Sequence, residues 1–288
     1  MNGFHAWLTG FGLPLYTLGH IAGAVVAVTV TTALAYRLGL PVFRVLPVLL
    51  LTVAGVWVGA RLGHFLFNIE LYLAEPERFF ALRFRGIVLY GGLVGGMAVA
   101  LPVIGWLRVP KWPLADAAAV GGALGIALIR MGCFGRGCCF GTVTNLPWGI
   151  TYPVGSPAWA ARIADNPAAL VFGGAAALQA VHPAQLYELV AALVAAGMVL
   201  YMIHRNVRSG LPALSALIGF TGFRLVNWRF RETFSVSPLS DWFHLLFHVA
   251  MLLLLGVLAV KRYYPSSLPM EKSGSGRKRR SKPIAPRG

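Results

Sequence analysis

Charge is what this chain has least of. Of its 288 residues only 12% are Asp, Glu, Lys or Arg, and just nine are acidic, while 57% are hydrophobic and the mean hydropathy is +0.70. That balance excludes an ordinary soluble domain and points to an integral membrane protein. A hydrocarbon core of about 30 Å takes about 20 apolar residues per helix, so the length accommodates about six to eight crossings joined by short loops. No internal repeat is visible. No Lys or Arg precedes Arg37, so the first apolar run lacks the basic region of a signal peptide and reads as a retained span that enters from outside. Cysteine is scarce as well. Cys133, Cys138 and Cys139 lack the paired spacing of a zinc site, and no His is close in sequence, so no metal is expected. A Cys138–Cys139 vicinal disulfide and buried free thiols both stay open. No cofactor is expected either.

The formal charge of +16 does not require nucleic acid as a partner. Much of it lies in a Ser/Gly/Pro-spaced tail carrying Lys272, Arg277, Lys278, Arg279, Arg280, Lys282 and Arg287. Such a block reads as disordered and solvated, and able to touch anionic lipid headgroups. The division expected is a membrane unit over residues 1–265, with an external cap at about 140–181, and a tail over 266–288.

Apolar runs predict an all-α polytopic protein of about seven transmembrane helices, at Leu13–Tyr36, Val45–Phe67, Ile87–Leu107, Leu114–Phe134, Pro183–His204, Leu211–Trp228 and Trp242–Val260. Sorting Lys and Arg by loop puts Arg37, Arg44, Arg108, Lys111, Arg205, Arg208 and the tail on one side, which is cytoplasmic by the positive-inside rule. The N-terminus is then outside and the C-terminus inside. The Pro- and Gly-rich stretch Phe140–Val181, with Trp148, Tyr152 and Trp159, reads as the external cap. Within it Ala168–Ala180 is too short to cross and reads as a re-entrant or surface helix.

The polar residues inside these spans share one depth. Arg61 lies roughly 9 Å, and Arg130 and Arg224 roughly 6 Å, from the outer ends of their helices at 1.5 Å per residue. Tyr16, His20, Tyr90, His182, Gln185, Tyr187 and Glu188 fall within about two turns of the outer ends of theirs. A single arginine there could snorkel. Three from different helices, meeting tyrosines, histidines and a glutamate, predict a polar cavity open to the outer leaflet. Guanidinium forks match phosphate oxygens, so the cavity suits a phospholipid headgroup. Glu188 is expected to brace Arg130 or Arg61. Gly91 and Gly92 let a backbone come close, either to ligand or to a neighbouring helix.

These residues carry a family resemblance. The strings Val58-Gly-Ala-Arg-Leu-Gly63, Tyr90-Gly-Gly-Leu-Val-Gly95, Arg130-Met-Gly-Cys-Phe134, Gly137-Cys-Cys-Phe-Gly141, Asn145-Leu-Pro-Trp148, His182-Pro-Ala-Gln-Leu-Tyr-Glu188, Phe223-Arg224 and Phe230-Arg-Glu232 occur in the order and spacing of bacterial prolipoprotein diacylglyceryl transferases, which the chain resembles through most of its membrane core.

The resemblance implies a multi-pass enzyme of the bacterial inner membrane. It would move diacylglycerol from phosphatidylglycerol to the thiol of the lipobox cysteine in a prolipoprotein signal peptide, releasing glycerol phosphate. It places catalytic roles on Arg130 and Arg224, with Tyr90 beside them. Tyr16, Arg61, Gly91, Gly92, Gly141, His182, Gln185, Tyr187 and Glu188 are expected to bind substrate. The chain departs from the family pattern at Tyr90, where His is usual, and at Trp228, where Glu is usual. A divergent enzyme with another acceptor and a non-catalytic phospholipid-binding protein are the alternatives.

Overall fold

The structure is a computed structural model that describes residues 15–77, 89–165, 179–232 and 238–264. Its elements are α1 (Leu15–Arg37), α2 (Val42–Phe67), α3 (Ile69–Ala74), α4 (Leu89–Trp106), α5 (Lys111–Arg136), α6 (Pro157–Asp165), α7 (Ala184–His204), α8 (Leu211–Asn227), a 3-10 turn at Trp228–Phe230, and α9 (Pro238–Tyr263). Each of the seven expected spans coincides with a helix. Five of them, α1, α2, α5, α7 and the His244–Tyr263 part of α9, are long and apolar enough to cross a membrane, and Tyr90–Trp106 is a shorter apolar helix. The chain is a multi-pass membrane protein. Ala168–Ala180 falls largely outside the described residues, and the basic tail falls wholly outside them.

Prolines mark helix starts. Pro41, Pro110 and Pro183 sit at N-caps, and Pro212 lies in the first turn of α8, where a missing N–H costs nothing. At the other end of α5, Gly137 takes a left-handed conformation (φ 72°) and returns its N–H to the last turn. Large apolar side chains such as Val25, Leu50 and Leu253 remain more than half exposed, as a lipid-facing surface requires.

Inside, small residues let the helices meet. A Cβ on Gly91 would lie 2.3 Å from the Gly59 carbonyl oxygen, and one on Gly95 would lie 2.5 Å from that of Gly55, so α2 and α4 pack backbone against backbone. Gly23 and Gly125 do the same between α1 and α5. Helix α5 lies centrally, against α1, α7 and α8, and α9 packs on α8. Val120, Ala195, Ala196, Val199 and Ala216 form the apolar contact of α5, α7 and α8.

Candidate functional site

At one end of the bundle, short extended segments tie three helix ends together. Gly141 N–H donates to the His182 carbonyl (2.8 Å) and His182 N–H to that of Thr142 (2.9 Å). Thr142 N–H donates to the Phe230 carbonyl (2.9 Å) and Glu232 N–H to that of Phe140 (3.2 Å). Gly141 is required here because a Cβ would lie 2.2 Å from the Phe230 carbonyl oxygen. The Arg162–Glu232 ion pair (3.2 Å) holds helix α6 to the same junction. The ends of α5, α7 and α8, far apart in sequence, thereby converge.

Glu188 occupies the meeting point and is only 3% exposed. Its Oε2 pairs with Arg130 Nη2 at 2.5 Å and Arg224 Nη1 at 3.2 Å, and its Oε1 with Arg231 Nη1 at 3.3 Å. Asn227 Nδ2 donates to Oε1 at 3.4 Å. Three cations therefore share one carboxylate, leaving two positive charges to be balanced. The buried Nε donors of Arg130 and Arg224 find no acceptor among the described residues. Buried donors without partners are rare, and two on guanidiniums at one point call for an anion. The expectation that Glu188 braces Arg130 holds in this geometry. Arg224 and Arg231 are its other guanidinium partners, and Arg61 is buried on α2.

Most of the signature around Glu188 holds the scaffold. Tyr187 Oη accepts from Trp148 Nε1 (2.8 Å) and shares a hydrogen bond with His182 Nδ1 (3.0 Å). Gln185 is 1% exposed and uses both ends of its amide, donating to the Cys138 carbonyl (2.6 Å) and accepting from Tyr152 Oη (3.2 Å). Burial pushes the Tyr152 hydroxyl up to about 12, so it stays a neutral donor. Gly91 lies in the α2–α4 seam, and Gly92 faces Val56 and Ala60 of α2, so close helix packing explains both. Tyr16 lies under the Arg136 guanidinium, 4.7 Å from the ring centre, and beside His20.

Tyr90 is buried at the start of α4, within hydrogen-bonding reach of Arg224. Its hydroxyl also meets His244 Nδ1 of α9. Asn227, Arg231 and His244 are site members that sequence reasoning missed. Arg231 lies in the Phe230-Arg-Glu232 string past the last turn of α8, where depth along a helix gives no signal. The signal available for α9 was the His244, His248 pair, four residues apart and so on one helical face.

The cysteines also converge, against the spacing argument. Cys139 takes a left-handed φ of 59°, uncommon for a non-glycine residue, and the Sγ atoms of Cys133, Cys138 and Cys139 all lie within 4.8 Å of one another. All three are free thiols, a donor set with the softness to hold a thiophilic ion. Hydrogen bonds from Cys133 and Cys138 hold the Cys139 thiol below the usual thiol range.

A buried, cation-rich site at one end of an apolar bundle agrees with the relatives of this sequence. A family model described as prolipoprotein diacylglyceryl transferase matches residues 5–261. The phosphatidylglycerol–prolipoprotein diacylglyceryl transferase of Geobacter sulfurreducens is 32% identical over 221 residues, covering 75% of this chain and 77% of that protein. The one from Ruegeria pomeroyi is 30% identical over 230 residues, covering 75% and 72%. The one from Nostoc sp. is 33% identical over 162 residues, covering 56% and 52%. With the match running through the membrane core that builds the arginine cluster, this chain belongs to the prolipoprotein diacylglyceryl transferase family.

Proposed function

We propose that this protein transfers the diacylglyceryl group of phosphatidylglycerol to the thiol of the lipobox cysteine in a prolipoprotein signal peptide and releases glycerol phosphate. The observation that carries the reading is the cluster of Arg130, Arg224 and Arg231 on the single carboxylate of Glu188. It has spare positive charge, and it has buried Nε donors without an acceptor among the described residues. A lipid phosphate supplies what is missing. Arg130 and Arg224 would hold its oxygens in the ground state. They would bind them more strongly as the carbon–oxygen bond to the glyceryl carbon breaks and charge collects on the departing phosphate. The acceptor sulfur forms the new carbon–sulfur bond at that same carbon.

The setting we infer is the bacterial inner membrane, crossed about seven times, with the N-terminus outside and the C-terminus inside. The arginine cluster then faces the outer leaflet, where phospholipid can enter sideways between helices, and the basic tail belongs to the cytoplasmic side. The membrane unit of residues 1–265 carries the whole site, beneath the cap at about 140–181.

The test is the purified full-length protein in phosphatidylglycerol liposomes with a lipobox peptide. The peptide should gain the mass of a diacylglyceryl group while glycerol phosphate appears in equal amount, and a Cys→Ser peptide should not react. Tight phospholipid binding with no transfer to any thiol would replace this reading with that of a lipid-binding protein. A reporter fused after Gly288 should be cytoplasmic, and one inserted at Ser156 external; the reverse pattern would invert the topology.

A further inference from the structure

Transfer to a thiol needs a proton acceptor, because the thiolate is the nucleophile and an ordinary thiol with a pKa of about 8.5 is mostly protonated at neutral pH. Glu188 cannot fill that role while three guanidiniums and Asn227 occupy its oxygens. The His182 Nδ1 is engaged with the Tyr187 hydroxyl, and the His20 Nδ1 with the backbone carbonyl of Tyr16.

One imidazole lies against the arginine cluster through a hydroxyl. His244 projects from α9 to the Tyr90 hydroxyl, with its Nδ1 as the contacting atom. Its ring is held on two further sides. Trp228 lies against it with ring centres 4.0 Å apart and an interplanar angle of 35°, and His248 stacks at 6.3 Å and 25°. The His248 Nδ1–H donates to the His244 carbonyl at 2.7 Å, fixing the helical turn that carries both. Tyr90 is fixed in turn by Phe247, 4.4 Å between ring centres, and its hydroxyl is within reach of Arg224. A phenol oxygen thus stands between a phosphate-binding arginine and an imidazole nitrogen.

We propose that Tyr90 and His244 form the proton-accepting pair that activates the acceptor thiol, with Tyr90 touching the thiol and His244 acting through it. This rests on the transferase reading above. The Tyr90 O–H donates to an unprotonated His244 Nδ1, which leaves the proton of His244 on Nε2. When the acceptor S–H reaches the phenol oxygen, its proton moves to that oxygen as the phenol proton passes to Nδ1. The sulfur lone pair so released attacks the glyceryl carbon, and the carbon–oxygen bond breaks with its electron pair going to the phosphate oxygen. The imidazolium proton returns through Tyr90 to the leaving glycerol phosphate, so the thiol proton ends on the product and the pair is regenerated.

The test uses the full-length protein in phosphatidylglycerol liposomes with a lipobox peptide. His244→Gln and Tyr90→Phe are compared with wild type from pH 6.5 to 9.5. Tyr90→Phe keeps the ring that packs on Phe247 and removes one hydroxyl, so it reads the pair even where a His244 variant fails to fold. Both variants should lose about 10²-fold or more in kcat at pH 7, within the range of general acid–base effects, with phosphatidylglycerol binding intact. The deficit should shrink steeply towards pH 9.5, where the peptide thiol ionises unaided. A merely structural role would not produce that recovery. The groups facing His244 are Tyr90, His248, Arg224 and Arg231, so Arg224→Ala is the control, and its deficit should persist at every pH. Wild-type kcat and an unchanged pH profile in Tyr90→Phe or in folded His244→Gln would overturn the pair while leaving the transferase reading standing. Absence of transfer by wild type would overturn both.

Discussion

The α5–α7–α8 core buries two carboxylates, and it satisfies them in opposite ways. Asp116 is 2% exposed near the start of α5. It accepts from Ser209 Oγ (2.8 Å), Gly210 N–H (2.8 Å) and Ala213 N–H (3.0 Å), closing the otherwise unsatisfied first turn of α8. Its three donors are neutral backbone and hydroxyl groups, which bring no positive charge with them. Glu188, at the other end, has three guanidiniums on two oxygens and leaves buried donors over. A carboxylate satisfied by neutral partners is a structural tie. One shared by three guanidiniums leaves net positive charge that an anion can balance.

The comparison can be broken first at the arginines. Arg130→Ala and Arg224→Ala should each lower kcat/KM by about 10²- to 10³-fold, the range for removing a donor to developing oxyanion charge, while the protein stays folded. Lysine should rescue poorly, since it lacks the planar fork. Retained turnover in both alanine variants would dismiss the phosphate clamp.

Glu188→Gln should behave differently from either arginine change. It removes the shared anion and leaves three guanidiniums facing one another, so thermal stability in detergent and transfer activity should fall together. Activity lost at unchanged stability would instead give Glu188 a direct chemical role.

Asp116→Ala should cost stability alone. Two backbone donors and a hydroxyl lose their acceptor, each orphaned buried donor at about 1 to 3 kcal/mol, so the melting temperature should drop by several degrees. Transfer per folded molecule should stay within about twofold of wild type. A matching collapse of specific activity would erase the distinction between the two ends.

The smallest effects separate two glycines that look alike in sequence. Gly91→Ala drives a Cβ to 2.3 Å from the Gly59 carbonyl oxygen and should cost about 1 to 3 kcal/mol in stability. Gly122→Ala points into open space and should be neutral or stabilising by up to about 1 kcal/mol. Equal melting temperatures for the pair would refute close α2–α4 packing.

Much of this was legible before folding. Periodicity and run length placed a helix at every expected span, because apolar surface in lipid and a backbone that must satisfy itself leave few alternatives. Depth, read as residues from a helix end, brought Arg130, Arg224 and Glu188 to one level. Which faces turn toward one another was not legible. Helix rotation is set by the small-residue seams, such as Gly91 on Gly59, and the junction at Gly141 is set by hydrogen bonds between segments roughly 40 to 90 residues apart.

The sequence by itself therefore determined the membrane class, the helices, the family and the presence of a cationic level, since all of these follow from composition, period and motif. Only the tertiary structure decided the stoichiometry of the site: three arginines to one glutamate, with Arg231 recruited from beyond α8. Only it decided that Gln185, Tyr187 and His182 spend their hydrogen bonds on the scaffold around Gly141, that three thiols converge through the left-handed turn at Cys139, and that Tyr90 and Trp228 both meet His244. The physical reason is that ion pairing and ring contact depend on distances of 3 to 4 Å between helices, and a one-dimensional pattern fixes height along a helix but not rotation about it.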